Sequence, residues 1–289
     1  MNILSAMIAR RGRLVWDPDA EKALSRVPAP VRPLARSGVE KKVEAQGRDR
    51  VTLADFEAAA DRFGKGNAMP ADLQKFMPQE NRPGVPMVLV TACHARVSGC
   101  PNPVLDTDAW VSAIQDWARD TDLSERLRQR VEGGLILRHH KLAVSVSGCP
   151  NSCSRPQIAD FGLTGTARPK FDSGPCTGCG ACVEACPDEA VRLEDGLPVV
   201  YPAACSGCLA CSRACPTGCL VPGESRARLA AGGKLGRHPR LASPAGVFAS
   251  PEEAMAAMDR VLEQYLSEAR PGERLGAWMQ RGEKEGSAQ

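Results

Sequence analysis

Gly148-Cys-Pro-Asn-Ser-Cys-Ser-Arg-Pro156 sets two cysteines, Cys149 and Cys153, in a run of small residues and prolines that keeps backbone close to whatever the sulfurs bind. Upstream, Cys93 and Cys100 stand with six residues between them and complete a set of four thiols. Two further sets share one spacing: Cys176, Cys179, Cys182, Cys186–Pro187 and Cys205, Cys208, Cys211, Cys215–Pro216, both C-x2-C-x2-C-x3-C-P. Soft thiolates gathered in fours suit iron–sulfur clusters or zinc. Twelve of the thirteen cysteines are thereby assigned. Cys219 is left over and reads as a small buried hydrophobe.

The repeated run decides between iron and zinc. Zinc ribbons use two separate C-x2-C pairs, whereas this run is that of bacterial two-cluster ferredoxins. There the fourth cysteine, before proline, ligates the other cluster. Cys176, Cys179, Cys182 and Cys215 are therefore expected around one 4Fe–4S cluster, and Cys205, Cys208, Cys211 and Cys186 around a second. Residues 173 to 221 are rich in Cys, Gly and Pro and have little from which to build an apolar core. Such a segment has to be held by its metal. Its halves are an internal duplication joined by Ala190–Pro202, where Asp195–Gly196 signals a hairpin.

Bulk properties exclude more than they assign. The 289 residues carry a net charge of +3, too weak a bias to argue for nucleic acid or an anionic membrane. No apolar run approaches the ~20 residues of a membrane span. Arg10, Arg11 and Arg13 stand where a signal cleavage region would be, so the expected setting is reducing and cytoplasmic.

Along the chain, Asp17–Pro18 opens a helix, and a second helix is expected over Val31–Ala45 with Leu34, Val39 and Val43 as its apolar stripe, closed by Gly47. Thr52 opens a third, with Asp55 as capping-box partner and Phe56 and Phe63 facing inward. The prolines of residues 65 to 85 read as a linker. Pro86–Thr91 (PMVLVT) reads as a buried strand that delivers Cys93. Asp106 to about Val131 is expected to be helical, Lys141–Ser147 a strand ending at Cys149, and Ile158–Thr164 another strand. Pro251 to about Ala269 reads as a helix, and the residues after Trp278 as a frayed tail.

Thr91-Ala-Cys93, Cys100-Pro-Asn102 and Ser147-Gly-Cys149-Pro-Asn-Ser-Cys153-Ser-Arg155-Pro-Gln-Ile-Ala-Asp160 together resemble the iron–sulfur and siroheme domain of nitrite and sulfite reductases. Gly232-Gly-Lys-Leu-Gly-Arg-His-Pro-Arg240 and Pro271-Gly-Glu-Arg-Leu-Gly276 are similar to that family's closing segments. A ferredoxin inserted in the domain is similar to the dissimilatory type and its smaller relatives. The resemblance spans residues 86 to 277. Val27-Pro-Ala-Pro-Val-Arg-Pro-Leu-Ala-Arg36, with Val39-Glu, Gly47 and Val51-Thr, resembles the small helical domain found in light-independent protochlorophyllide reductase.

The expected fold is α+β: a helical domain (14–64), a linker (65–85), a mixed siroheme and 4Fe–4S domain (86–172 and 222–277) interrupted by the two-cluster insert (173–221), and a tail (278–289). The resemblance implies that Cys93, Cys100, Cys149 and Cys153 hold a third 4Fe–4S cluster and that Cys153 also bridges to the siroheme iron. It points to Arg96, Lys141 and Arg155 for the substrate anion and to Lys234 and Arg237 for siroheme. Arg138, Arg240, His139, His140 and His238 are lesser candidates, the adjacent histidines reading as a strand edge.

The implied activity is an oxidoreductase carrying out six-electron reduction of sulfite or nitrite, fed by an electron donor protein or a redox complex. Only the helical unit and linker precede Cys93, so a homodimer or heteromer is expected to supply the second wall around siroheme. The alternatives are a siroheme-free electron-transfer subunit of a larger redox complex, or a scaffold or redox sensor with structural clusters.

Overall fold

The structure is a computed structural model describing residues 14–25, 27, 32–64, 78–95, 98–172, 174 and 176–286. The chain divides into two compact units, Met1–Gln74 and Lys75–Gln289.

In the first unit, strand β1 (Val15–Trp16) runs into helix α1 (Pro18–Ser25), followed by α2 (Arg32–Ala45), strand β2 (Arg50–Val51) and α3 (Leu53–Gly64). The parallel β1–β2 pair, unforeseen from residues this few, ties the two ends of the unit together. Trp16, Ala20, Leu24, Val39, Val43 and Val51 form its core, with Phe56 packed against it. The side chains of Leu34 and Phe63 lie outside the described residues.

Thr52 and Asp55 close a capping box at the start of α3. The Thr52 N–H donates to Asp55 Oδ2 at 3.0 Å and the Asp55 N–H donates to Thr52 Oγ1 at 3.4 Å. Arg48 donates to the same carboxylate and, as the largest influence, holds Asp55 well below the usual carboxylate range. Thr52→Ala or Asp55→Ala is expected to cost the unit about 0.5–2 kcal/mol, read as a lowered thermal midpoint. Because the folded carboxyl titrates below its unfolded counterpart, its contribution is complete above about pH 4 and fades as pH falls through the folded value. Asp55→Asn should flatten that part of the pH profile.

The second unit begins earlier than the linker reading allows. Strand β3 (Gln79–Glu80) precedes β4 (Val88–Ala92), and the Asn81 side chain donates to the carbonyls of Val131 and Gly133 at 3.2 and 3.1 Å. Residues 78–85 are thus attached to this unit, and the rest of the expected linker (65–77) lies outside the described residues. Helix α4 (Thr107–Asp120) is capped by Asp106, whose side chain accepts from the Asp108 and Ala109 amides. The single long helix expected here is two: left-handed backbone at Asp122 breaks it, and α5 (Leu123–Arg128) follows.

Strand β5 (Leu135–Ile136), the partner of β3, leads to β6 (Leu142–Ser147) and β7 (Phe161–Thr166). Next come β8 (Pro169–Phe171), helix α6 (Ala181–Glu184), the hairpin β9 (Val191–Glu194) and β10 (Leu197–Val200), helix α7 (Ala210–Ala214) and β11 (Leu220–Pro222). Strands β12 (Arg226–Ala231) and β13 (Ser243–Phe248) and helices α8 (Pro251–Glu268) and α9 (Leu275–Gly286) complete the unit. Residues 278–286, expected as tail, are helical because Trp278 and Met279 pack on the core and anchor them.

The main sheet has the order β13-β12-β7-β6-β4, with β4, β6 and β7 parallel and β12 and β13 antiparallel. This is the mixed α+β architecture expected. Its two faces differ in composition. Leu142, Val144, Val146, Phe161, Leu163, Ala227, Leu229 and Ala231 form one face, covered by α4 and α8 residues such as Trp110, Ile114, Met258 and Leu262. The alternate residues, Thr91, Ala143, Ser145, Ser147, Gly162 and Thr164, give the other face small side chains, and the cysteine loops lie there.

The insert is the tip of a hairpin. β7 pairs antiparallel with β12, and the ladder resumes as β8 with β11, Phe171 opposite Leu220. Asp195 and Gly196 both have positive φ (51° and 78°), the geometry of the tight turn between β9 and β10. The insert's interior consists of Cys182, Val191, Cys211 and Leu220 with Val183, Cys186, Val200 and Cys215 around them. Half of that interior is cysteine, so thiols stand where aliphatic packing would be. Among the described residues no helix is long and apolar enough to cross a membrane.

Candidate iron–sulfur centres

Cys93 leaves β4 on the small-residue face, its N–H donating to the Val146 carbonyl at 3.0 Å. Cys149 leaves the parallel neighbour β6 at the same end of the sheet, so two adjacent strands deliver two thiols side by side. The Gly148 N–H donates to Cys93 Sγ at 3.2 Å. Cys100 is tied to the end of the same segment, its N–H donating to the Ala95 carbonyl at 3.0 Å. Burial pushes the Cys149 thiol up, and the thiols of Cys100, Cys153 and Cys93 press on it in the same sense. Cys93, Cys100 and Cys153 are thus the thiol neighbours of Cys149. Cys149 is buried, Cys93 and Cys100 are half-buried, and Cys153 is exposed.

The loop from Cys149 to Pro156 is held flat against the sheet. Ser152 and Arg155 adopt left-handed backbone (φ 53° and 58°), a conformation that costs non-glycine residues about 1–2 kcal/mol each. Serines offset that strain. Ser145 Oγ donates to the Ser154 carbonyl at 2.8 Å, Ser154 Oγ donates to the Val146 carbonyl at 2.8 Å, and the Ser147 and Ser154 hydroxyls are 2.6 Å apart. Two glycines of β7 make room. A Cβ on Gly162 would fall 2.1 Å from the Pro156 carbonyl oxygen, and one on Gly165 would fall 2.4 Å from that of Gly148. Ser145 and Ser147 alternate along β6 and so share the face that the loop covers, whereas Gly162 and Gly165, three residues apart, open opposite faces of β7.

In the insert the cysteines group crosswise. Cys176, Cys179, Cys182 and Cys215 line one cavity, together with Leu193, Pro198 and Cys219. Burial raises the Cys182 thiol, and its thiol neighbours are Cys215 and Cys179. Burial likewise raises Cys211, whose neighbours are Cys186, Cys205 and Cys208. The Cys215 thiol is lowered to about 6, first by the Leu220 N–H and then by Cys219 and Thr217. Among the described residues no group of three or more His, Cys, Asp or Glu is placed to hold a single metal ion. A four-iron cube instead takes one thiolate at each corner, a wider spacing than sulfurs about 2.3 Å from a lone zinc.

The Cys205 grouping is stitched to the main sheet. Thr166 Oγ1 donates to the Ser206 carbonyl at 3.0 Å, the Ala167 N–H donates to the Gly207 carbonyl at 2.9 Å, and Arg228 donates to the Ser206 carbonyl at 2.9 Å. Thr164, two residues before Thr166, pairs in register with Ser147 beside Cys149. The Cys205 cage is therefore the one joined to the sheet end that carries the Cys149 set.

The expected cations separate. Arg155, two residues after Cys153, is exposed. Lys234 and Arg240 exchange backbone hydrogen bonds at 2.9 Å, closing a hairpin with Arg237 and His238 exposed at its tip. That hairpin lies against the segment following Cys153, since the Ala242 N–H donates to the Gln157 carbonyl at 2.8 Å. The base of the hairpin that carries Lys234 and Arg237 thus adjoins the segment just after Arg155. Arg240 instead binds the Gly232 carbonyl (2.8 Å), Ser243 Oγ (2.9 Å) and Glu283, a structural set of contacts. Arg96 lies outside the described residues.

Lys141 is not brought to the cysteines. It sits at the opposite end of β6 from Cys149, about 20 Å along a strand rising about 3.3 Å per residue. It is buried, its ammonium donates to Gln79, and burial lowers its pKa. His139, His140, Asp160, Tyr265 and Arg274 line the same cavity at that end. His140 Nδ1 accepts the Leu137 N–H at 3.2 Å and burial lowers its pKa, so it serves as a neutral cap on the strand edge. Asp160 is buried, accepts the Ala143 N–H at 2.8 Å and pairs with Arg274 at 3.3 Å. This pair joins the end of the cysteine motif to the C-terminal segment across 114 positions.

Residues 89–284 match the family model described as nitrite and sulphite reductase 4Fe-4S domain, and residues 16–59 match that of the proto-chlorophyllide reductase 57 kD subunit. Over 108 residues the chain is 32% identical to the coenzyme F420-dependent sulfite reductase of Methanocaldococcus jannaschii, covering 37% of this chain and 15% of that protein. Over 65 residues it is 41% identical to one of the subunits of the anaerobic sulfite reductase of Salmonella typhimurium, covering 22% of this chain and 19% of that protein. The chain therefore spans less than a fifth of either relative. A crystal structure of dissimilatory sulfite reductase I is similar over 80% of this chain and 56% of that one, with TM-score 0.48 and 18% identity.

Proposed function

Because the chain belongs to the nitrite and sulphite reductase 4Fe-4S domain family, we propose that this iron–sulfur oxidoreductase reduces a small oxyanion, sulfite or nitrite, by six electrons at a siroheme coupled to its Cys149 cage. The relatives from Methanocaldococcus jannaschii and Salmonella typhimurium are both named for sulfite reduction, which favours sulfite. The observation that carries the reading is the gradient of exposure across Cys93, Cys100, Cys149 and Cys153. Three sulfurs are wholly or partly covered, and Cys153 alone of the four opens to the surface, where a macrocycle's iron could share its thiolate.

Siroheme, when bound, supplies the metal at which the oxyanion is reduced. This chain's own residues do the rest. Cys93, Cys100, Cys149 and Cys153 hold one 4Fe–4S cluster, and the serine contacts beneath Ser154 fix the loop against the sheet so that the Cys153 thiolate keeps its aim. Lys234 and Arg237 would hold the macrocycle's carboxylates, and Arg155 and Arg96 would serve the substrate anion. Lys141, buried and bound to Gln79, is left out of that role. Clusters held in the Cys176 and Cys205 cages would supply a relay for electrons from a donor protein, the Cys205 cage being the one bonded to the sheet beside Cys149. With Cys153 open, a second copy or another subunit is required to cover the far side of the macrocycle.

The test is an optical spectrum of anaerobically purified protein, with iron and siroheme content, followed by sulfite-dependent reoxidation of the dithionite-reduced protein. Siroheme absorption, about twelve irons per chain and reoxidation by sulfite are expected. Three clusters without extractable tetrapyrrole and without sulfite turnover would replace this reading with that of a siroheme-free electron-transfer subunit. The same open Cys153 edge suits that alternative, a protein partner then taking the macrocycle's place.

A further inference from the structure

The insert's duplication contains its own control. Four residues after Cys215 comes Cys219, and four residues after the equivalent Cys186 comes Ala190. Both positions are buried, at 3% and 0% exposure, so a methyl suffices to fill the space in one half. The thiol in the other half is not required for volume.

The surroundings of the two fourth cysteines differ accordingly. Cys186 Sγ accepts the Ala190 N–H at 3.2 Å. Cys215 Sγ has Cys219 Sγ at 3.2 Å, with the Thr217 hydroxyl further off at 3.6 Å. Cys219 is fixed in place by its own carbonyl, which accepts the Asp172 N–H at 2.8 Å beside the β8–β11 ladder. It also lines the cavity shared by Cys176, Cys179, Cys182 and Cys215.

We propose that Cys219 is a positioning residue whose S–H donates a hydrogen bond to the cluster-ligating sulfur of Cys215, making the first insert cluster easier to reduce than its duplicate. The inference rests on the cluster assignment of the proposed function. Cys219 is the donor in this 3.2 Å contact because iron would hold Cys215 as thiolate, which has no hydrogen of its own to give. Reduction adds negative charge that spreads onto the ligating sulfurs. A donor aimed at one of them stabilises the reduced cluster more than the oxidised one and raises its potential. The Cys186 sulfur accepts the Ala190 N–H, and the alanine side chain at that position has no hydrogen-bond donor to match the Cys219 thiol. Two clusters with one ligand spacing thereby become unequal, and the easier to reduce is the one farther from the Cys149 set.

The test is a redox titration of the whole protein followed by electron paramagnetic resonance, comparing wild type with Cys219→Ala, Cys219→Ser and Ala190→Cys. In Cys219→Ala one insert cluster should become about tenfold harder to reduce, about 59 mV for one electron, with the other unmoved and iron content unchanged. Cys219→Ser keeps a donor and should retain most of the wild-type potential. Ala190→Cys should raise the second cluster and narrow the gap.

Unchanged potentials in Cys219→Ala at full iron content overturn the role of Cys219 and leave the cluster assignment standing. Loss of iron from both Cys219→Ala and Cys219→Ser also overturns it, since Cys219 would then be a ligand. Wild-type protein lacking two insert clusters removes the assignment itself.

Discussion

On the proposed function, replacing Cys149 with alanine is expected to remove about four of about twelve irons per chain, to abolish the proposed oxyanion reduction, and to leave both insert clusters spectroscopically intact. The reason is the position of this thiol. Cys149 is the buried member of its set, with the other three thiols near enough to act on it, and the backbone of Gly148 before it is packed closely against Gly165. No solvent-exposed rearrangement offers a substitute ligand there. The insert's sulfurs belong to separate groupings, around Cys182 and Cys211, so their clusters should persist. Iron analysis with electron paramagnetic resonance of the reduced variant checks this. Iron at the wild-type level, or loss of all three centres together, contradicts the independence of the cages.

Arg274→Ala should cost the second unit about 3–5 kcal/mol, the penalty for stranding a buried charge by removing its partner. Asp160 is 2% exposed, and burial already raises its pKa while Arg274 pulls the other way. Its backbone carbonyl also accepts the Gly232 N–H at 2.8 Å, so the damage should spread to the Lys234–Arg240 hairpin. The pH dependence has a definite sign. Without arginine the folded acid titrates well above its unfolded counterpart, so the folded state binds a proton that the unfolded state does not. The variant's deficit should therefore shrink below about pH 4 and grow as pH rises through the folded value. Denaturant midpoints across pH measure it, and the double variant with Asp160→Asn should recover part of the loss. A deficit under about 1 kcal/mol would mean that water compensates the carboxylate.

Ligand chemistry was legible in the sequence because it is local. The spacing of Cys176 to Cys186 and its repeat report on one turn of backbone at a time, and the Asp195–Gly196 turn and Asp106 cap are equally short-range signals. The strands that deliver Cys93 and Cys149 could be read from their apolar runs. Contacts between distant segments could not. Nothing in Gln79–Glu80 announces its partner Leu135–Ile136, so a proline-rich stretch read as linker where its end is bound to the domain. Lys141 looked available beside two histidines, and only the sheet register puts it a strand's length from the cysteines. The helix expected to run to Val131 stops because Asp122 takes a left-handed conformation, which composition alone does not reveal. The segment after Trp278 read as tail from its charges, yet Trp278 and Met279 are what hold it.

The pairing of Phe171 with Leu220 has a practical meaning. The chain leaves the main sheet and returns to it at neighbouring points, about 5 Å apart across an antiparallel ladder, so everything between is a cassette plugged into a socket of two strands. A short glycine turn could bridge the socket with the cassette taken out, and a different electron carrier with close-set termini could be plugged in its place. The sheet and the insert are in this sense separable parts joined by hydrogen bonds rather than by a shared interior.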